Sequence, residues 1–284
     1  MVHLDEARLQ SPELSGSPVT SPPPTSPDLK KRKRKNDDES ESKPQSKRAA
    51  KRKKAKNSNT VAYDEALDVE AGINHAIAHM DSQLLADHVA QRNRRFNSDL
   101  STMELEDMQI PASAIIDSST WREQRDLDHL PSFLEHFSPY RPNTIALNEA
   151  ARDKGSPHTL VVTGAGLRAA DLTRALRKFQ TKEAKVEKLF AKHIKLKEAI
   201  DSVKKSRIGI GVGTPQRIAD LLEDGALRFK HIRKIVVDAS HIDTKKRGIL
   251  DMRETHVPLM TLLCRKEFKE RYSSTEKRLE VLFY

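Results

Sequence analysis

The sequence predicts an α/β protein: a parallel-sheet domain at residues 141–284, a helical segment at 60–140 and a disordered basic tail at 1–59. Three observations carry this. Short apolar β-rich runs, Thr159–Thr163, Ile208–Val212 and Lys234–Asp238, alternate with helical stretches, the pattern of a parallel sheet buried on both faces. Apolar residues between Tyr63 and Asn97 recur at spacings near three and four, the helical period. Residues 1–59 hold almost no large apolar side chains, and such a segment cannot offset its ordering entropy by burial.

Charge divides the chain in the same places. Residues 1–29 carry a net −3, 30–56 carry +10, 57–150 carry −10 and 151–284 carry +13. A basic tail, an acidic middle and a basic C-terminal half are hidden inside the overall +10. The single cysteine, Cys264, excludes an intrachain disulfide and a multi-cysteine zinc site. No apolar stretch has the length of a membrane span, and MVHLDEARLQ lacks the apolar core of a signal peptide.

The tail holds two cationic clusters. One is Lys30, Lys31, Arg32, Lys33, Arg34 and Lys35; the other runs from Lys47 to Lys56 and includes Lys51, Arg52, Lys53 and Lys54. Paired clusters across a short polar spacer suit a nuclear import receptor, and the same cations suit RNA phosphates. The expected location is the nucleus and nucleolus. Ser11, Ser17, Ser21 and Ser26 each precede proline; phosphorylation there would place negative charge beside the clusters.

In the middle segment Ile73, Ile77, Leu84, Leu85, Val89 and Phe96 form the helical series. After Pro111, a second apolar run comprises Trp121, Leu127, Leu130, Phe133, Leu134 and Phe137. Two or three helices packing onto the next domain are expected. His75 and His79 stand at a metal-chelating spacing but lack a third ligand, so no metal is expected.

In the C-terminal part the loops after the three β-rich runs are where a parallel sheet binds ligands. The first, Gly164-Ala165-Gly166-Leu167-Arg168, opens a helix but has neither the lysine nor the hydroxyl of a nucleotide phosphate loop. It also lacks the third glycine and the later acid of a dinucleotide site. Backbone amides at a helix start can still meet a phosphate. The second loop lies in VGTPQRIADLL, Val212–Leu222, with Pro215 at the first helical position and Thr214 and Arg217 beside it. The third is VVDASHID, with Asp238, Ala239, Ser240 and His241.

These three segments resemble motifs of DEAD-box RNA helicases. VGTPQRIADLL is similar to VxTPGRLxDLL, VVTGAGLRAADL to the APTRELAxQ motif with Arg168 as its arginine, and VVDASHID to VLDEAD. The resemblance implies a RecA-like sheet. It also implies that the motor is gone: Ala239 replaces the water-positioning glutamate, His241 the last aspartate, and no GxxxxGK[ST] occurs. Phosphoryl transfer rests on placed charge and metal, so no ATPase activity and no cofactor are expected.

Together with the basic tail, the acidic middle and FNSDLSTMELEDMQIP, these motifs resemble the Cms-one family of ribosomal small-subunit assembly proteins. That implies a non-enzymatic factor in early small-subunit (18S rRNA) pre-ribosomes, with pre-ribosomal RNA and assembly proteins as partners. Neither a membrane nor a small-molecule substrate is expected. Gly164, Gly166, Arg168, Thr214, Pro215 and Arg217 are the RNA-contact candidates by motif. Lys182, Lys185 and Lys192 join them as part of a lysine series expected along a helix from Ala169 to Val203, broken near Lys182. Two rival readings are a protein–protein scaffold that never touches RNA and an ATPase completed by another chain.

Overall fold

A computed structural model of the chain describes residues 66–139, 145–191 and 193–284. The tail, both cationic clusters and Lys192 lie outside the described residues. A two-residue hairpin, β1 (Leu67–Asp68) and β2 (Ile73–Asn74), leads into a 3-10 turn at His75–His79. Helices α1 (Ser82–Phe96), α2 (Thr102–Asp107) and α3 (Leu130–His136) follow. The rest alternates strand and helix: β3 (Thr159–Val162), α4 (Gly166–Ala175), β4 (Lys185–Leu189), α5 (Leu196–Lys205), β5 (Ile208–Gly213), α6 (Pro215–Glu223) and β6 (Lys234–Val237). Helices α7 (Arg253–Leu263) and α8 (Lys266–Tyr272) precede the last strand, β7 (Glu280–Phe283).

The five strands β3–β7 form one parallel sheet in the order β4-β5-β3-β6-β7. Val161 sits opposite Val212 on one side and Val236 on the other. The period-2 alternation of a strand divides the core. Leu160, Val162, Ile235, Val237 and Phe283 join a cluster with Leu85 and Val89 of α1 and with Ile218 and Leu259 of α6 and α7. Val161, Val212, Val236 and Leu282 join another with Phe133 and Leu134 of α3 and Leu172 of α4. Each such aliphatic or aromatic side chain, fully buried, contributes about 1.5–3 kcal/mol.

The middle segment is thus part of the core. Helix α1 packs on one face and α3 on the other, and the chain between them passes along the β7 edge. There Ile116 donates its amide to the Val281 carbonyl at 2.9 Å. Local chemistry starts these helices: the Asp81 side chain accepts from the Leu84 amide at 2.8 Å, and Ser101 with Glu104 forms a reciprocal capping box on α2. Gly213 is required by a close approach, since a Cβ there would lie 1.9 Å from the Leu189 carbonyl oxygen.

The structure corrects three expectations. The helix foreseen over Ala169–Val203 is two helices around a strand: α4 ends at Ala175, a 3-10 turn covers Leu176–Phe179, and KVEKL is β4. Lys185 and Lys188 therefore stand on an edge strand, and the lysines share no helical face. Val186 and Leu189 face opposite sides of the sheet, so KVEKL shows no one-sided alternation that would have announced the strand. Next, β7 follows where no strand was foreseen. Finally, Ile73 and Ile77 belong to β2 and the 3-10 turn, and Leu84 points outward, 54% exposed. In a 3-10 turn, residues three apart eclipse, so His75 and His79 are not stacked as in an α-helix.

Candidate functional site

The three motif loops meet at one end of the sheet, because β5, β3 and β6 are neighbours running the same way. The centre is Asp238, just past β6, with its side chain 1% exposed. Thr163, at the end of β3, donates its hydroxyl to Oδ2 at 2.8 Å. Arg168, in the first turn of α4, donates Nε to Oδ2 at 3.0 Å and Nη2 to Oδ1 at 3.1 Å. Burial alone would lower the Arg168 pKa; the charge of Asp238 and its hydrogen bonds outweigh burial and raise it. This is a forked, charge-assisted pair, the strong kind.

The rest of the third loop is held from two sides. Asn74 donates its amide to the Ser240 carbonyl at 2.6 Å, and Ile242 donates to the Gly72 carbonyl at 2.9 Å. Gly72 takes φ +69 where a Cβ would meet the Ile242 carbonyl at 3.3 Å, a turn that suits glycine. On the other side, the amides of Ala239 and Ser240 donate to the Tyr284 oxygen at 2.8 and 2.7 Å. Burial lowers the His241 pKa, with Arg168 adding to that and Asp238 opposing it.

In the second loop Pro215 opens α6 and Thr214 precedes it without a side-chain cap. Arg217 turns inward, 8% exposed, and donates Nη1 to the Ile194 carbonyl at 3.1 Å, tying the β4–α5 connection to α6. In the first loop Gly164 and Gly166 are half-buried, and Ala165 and Leu167 are exposed. Lys182, Lys185 and Lys188 are exposed beside β4, and Lys185 reaches the Ser206 hydroxyl at 3.1 Å. The structure thus brings Arg168 and Asp238 together and keeps the lysines apart from them, along the sheet edge.

Chemically, both Asp238 oxygens are engaged by Thr163 and Arg168. The adjacent residue is Ala239. Among the described residues no group of three His, Cys, Asp or Glu could hold a metal ion. Sequence reasoning missed Thr163, Arg125 and Tyr284 as parts of this region. Arg125 donates Nη1 to the Phe283 carbonyl at 2.7 Å and Nη2 to the Ser118 carbonyl at 3.0 Å. These partners lie 158 and 7 residues away, so no local pattern announces them.

A family model described as "CMS1: U3-containing 90S pre-ribosomal complex subunit" matches residues 27–284. The chain belongs to the CMS1 family. It is 56% identical to Protein CMS1 of Chaetomium thermophilum over 82% of this chain and 92% of that one. It is 31% identical to Protein cms1 of Schizosaccharomyces pombe over 66% of this chain and 64% of that one. Human Protein CMSS1 is 31% identical over 59% of this chain and 57% of its own length. Among solved structures, the yeast DEAD-box splicing factor Prp28 is similar at 18% identity and a TM-score of 0.37, covering 54% of this chain and 31% of that one. The family model's description ties the CMS1 family to ribosome biogenesis.

Proposed function

We propose that this CMS1-family chain is a non-enzymatic factor that binds RNA or ribonucleoprotein in early small-subunit (18S rRNA) pre-ribosomes, in the nucleus and nucleolus. The observation that carries the reading is the row of exposed cations at the open sheet edge. Lys182, Lys185 and Lys188 lie beside β4, and Lys195 and Lys197 stand exposed at the start of α5. Such a row neutralises phosphates without regard to base sequence. The proposed face adds Gly164, Gly166 and Thr214 from the adjoining loops; Pro215 is buried and shapes its loop instead. Arg168 and Arg217 lie behind those loops and hold them. Lys192, outside the described residues, joins the face by sequence alone.

The tail's clusters, Lys30–Lys35 and Lys51–Lys54, are the proposed import signal and a second source of phosphate contacts. The rival reading, a protein–protein scaffold without RNA contact, has one observation in its favour. Arg168 and Arg217 spend their donors on Asp238 and the Ile194 carbonyl rather than facing solvent.

The separating experiment is RNA binding by the full chain across a salt series, with Lys182, Lys185 and Lys188 changed together to glutamine. The RNA reading expects weaker binding for all sequences and a salt slope shallower by about three phosphate contacts. The scaffold reading expects no change in either quantity. Crosslinking in cells, mapped to pre-ribosomal RNA, tests the same reading in place.

A further inference from the structure

The opposite end of the sheet, where the strands begin, carries an exposed cluster that none of the three motifs reaches. The connection from α6 to β6 includes LRFKHIR, residues 227–233, in which Arg228, Lys230 and Arg233 are exposed. The segment before β3 adds Arg152 and Lys154, also exposed. The two segments touch: Arg228 donates its amide to the Gly155 carbonyl at 2.7 Å, and Lys230 reaches Asp153 at 3.1 Å. His231 shares that carboxylate at 3.0 Å. Asp224 and Glu223, at the end of α6, pair with Lys204 and Arg265. Among the described residues, Arg152, Lys154, Arg228 and Arg233 have no carboxylate partner.

Between Arg228 and Lys230 stands Phe229, 44% exposed. Its backbone is fixed from within the protein. Arg271, itself buried, donates Nη1 to the Phe229 carbonyl at 2.8 Å, and the Ile232 amide donates to the same oxygen at 3.1 Å. The ring therefore sits on an ordered loop, and little backbone freedom remains to be lost when a ligand stacks on it. Cations around an exposed ring suit one ligand class best: the cations take phosphates, and the π face takes a base whatever its identity. Duplex RNA keeps its bases stacked inside, so the ring selects a single strand. An acidic peptide would satisfy the cations but bring no flat partner for the ring.

We infer that this end of the sheet is a platform for single-stranded RNA. Phe229 stacks one base, and Arg152, Lys154, Arg228 and Arg233 hold phosphates on either side. The platform adjoins the lysine edge: Lys185 reaches the Ser206 hydroxyl, the Ser206 carbonyl accepts from the Gly155 amide, and the Gly155 carbonyl accepts from Arg228. A strand lying along β4 thus has a cationic path to Phe229. The inference rests on the RNA reading of the chain but not on the lysine edge.

The test uses the full chain with Lys30–Lys35 and Lys51–Lys54 changed to glutamine, so that tail charge does not mask the platform. Binding of a short oligoadenylate and of a duplex RNA of equal length is measured by fluorescence anisotropy across a salt series. Phe229→Leu keeps apolar bulk and removes the π face. It should weaken single-strand binding about tenfold, with duplex binding, salt slope and Tm unchanged. Phe229→Tyr should bind like the unchanged ring. Arg152→Gln/Arg228→Gln should lower the single-strand salt slope by about two phosphate contacts. Undiminished single-strand binding by Phe229→Leu would assign the exposed ring to a protein contact and overturn the proposal, as would an equal loss on both RNAs. The two faces fail separately. If changing Lys182, Lys185 and Lys188 weakens binding and Phe229→Leu does not, the edge stands and the platform falls; if no RNA is bound, the RNA reading falls and the platform with it.

Discussion

The two edges of the sheet solve the same problem in opposite ways. An edge strand presents unpaired amides and carbonyls that invite another chain. At β4 the edge stays open and is guarded by charge: Lys185 and Lys188 are exposed beside the buried Val186 and Leu189. At β7 the edge is sealed by the protein itself. Ile116 donates to Val281, and Ser118 and Arg125 donate to the Phe283 carbonyl at 3.2 and 2.7 Å. The difference teaches where each part of the chain is free to act. The cationic edge has side chains to spare for a polyanion, while the sealed edge spends its cation on holding the fold.

The largest expected effect concerns the sheet body on which both edges hang. His158 and His256 are buried, and burial holds both pKa values down to about 4. Below the ordinary value near 6.5 the unfolded chain binds protons that the folded chain refuses. Stability is therefore full above about 6.5 and is lost as pH falls toward 4. Between pH 7 and pH 5 the two histidines together should cost about 4 kcal/mol. Urea unfolding at the two pH values measures it, and the double variant His158→Gln/His256→Leu should flatten the dependence.

At the sealed edge, Arg125→Ala removes the donors to Phe283 and Ser118. The expected loss is about 3 kcal/mol in urea unfolding at pH 7. A loss near zero would mean that residues 115–125 seal β7 without Arg125. Somewhat smaller is Asp238→Asn, which leaves the half-buried Arg168 without its counter-charge. Here about 2 kcal/mol is expected, and the double variant Asp238→Asn/Arg168→Met should recover part of it. If the two single losses simply add in the double variant, the forked pair has no energetic coupling.

The smallest effect on stability belongs to the open edge. Lys188→Gln should shift stability by under about 0.5 kcal/mol while lowering RNA affinity and the salt slope by about one phosphate contact. A stability loss comparable to that of Arg125→Ala would erase the contrast between the edges.

Several elements were legible because their signals are local. The runs TLVV, IGIGVG and KIVV are apolar apart from Thr159 and Lys234, and Pro215 marks the first residue of α6. Strands β4 and β7 were not legible. In KVEKL the lysines at 185 and 188 fall at a helical spacing, and the two apolar residues, Val186 and Leu189, face opposite sides of the sheet. EVLF pairs with β6 on one side and is covered on the other by a segment more than 150 residues earlier, which no local pattern announces. The candidate site shows the same division. Arg168 and Asp238 were each visible as motif positions, but their union was not, since 70 residues separate them.

The sequence by itself determined that a parallel sheet would form, that Ala239 stands where a catalytic acid would be needed, and that charge would be segregated along the chain. Each of these depends on residue identity or on spacing within a few positions. Only the tertiary structure decided that Arg168 would close on Asp238, that Arg125 would be a buried cation holding the β7 edge, and that the lysines would line the other edge. Those outcomes depend on which strands become neighbours. Burial then strengthens any charge pair the packing completes and makes any donor it leaves unmatched costly.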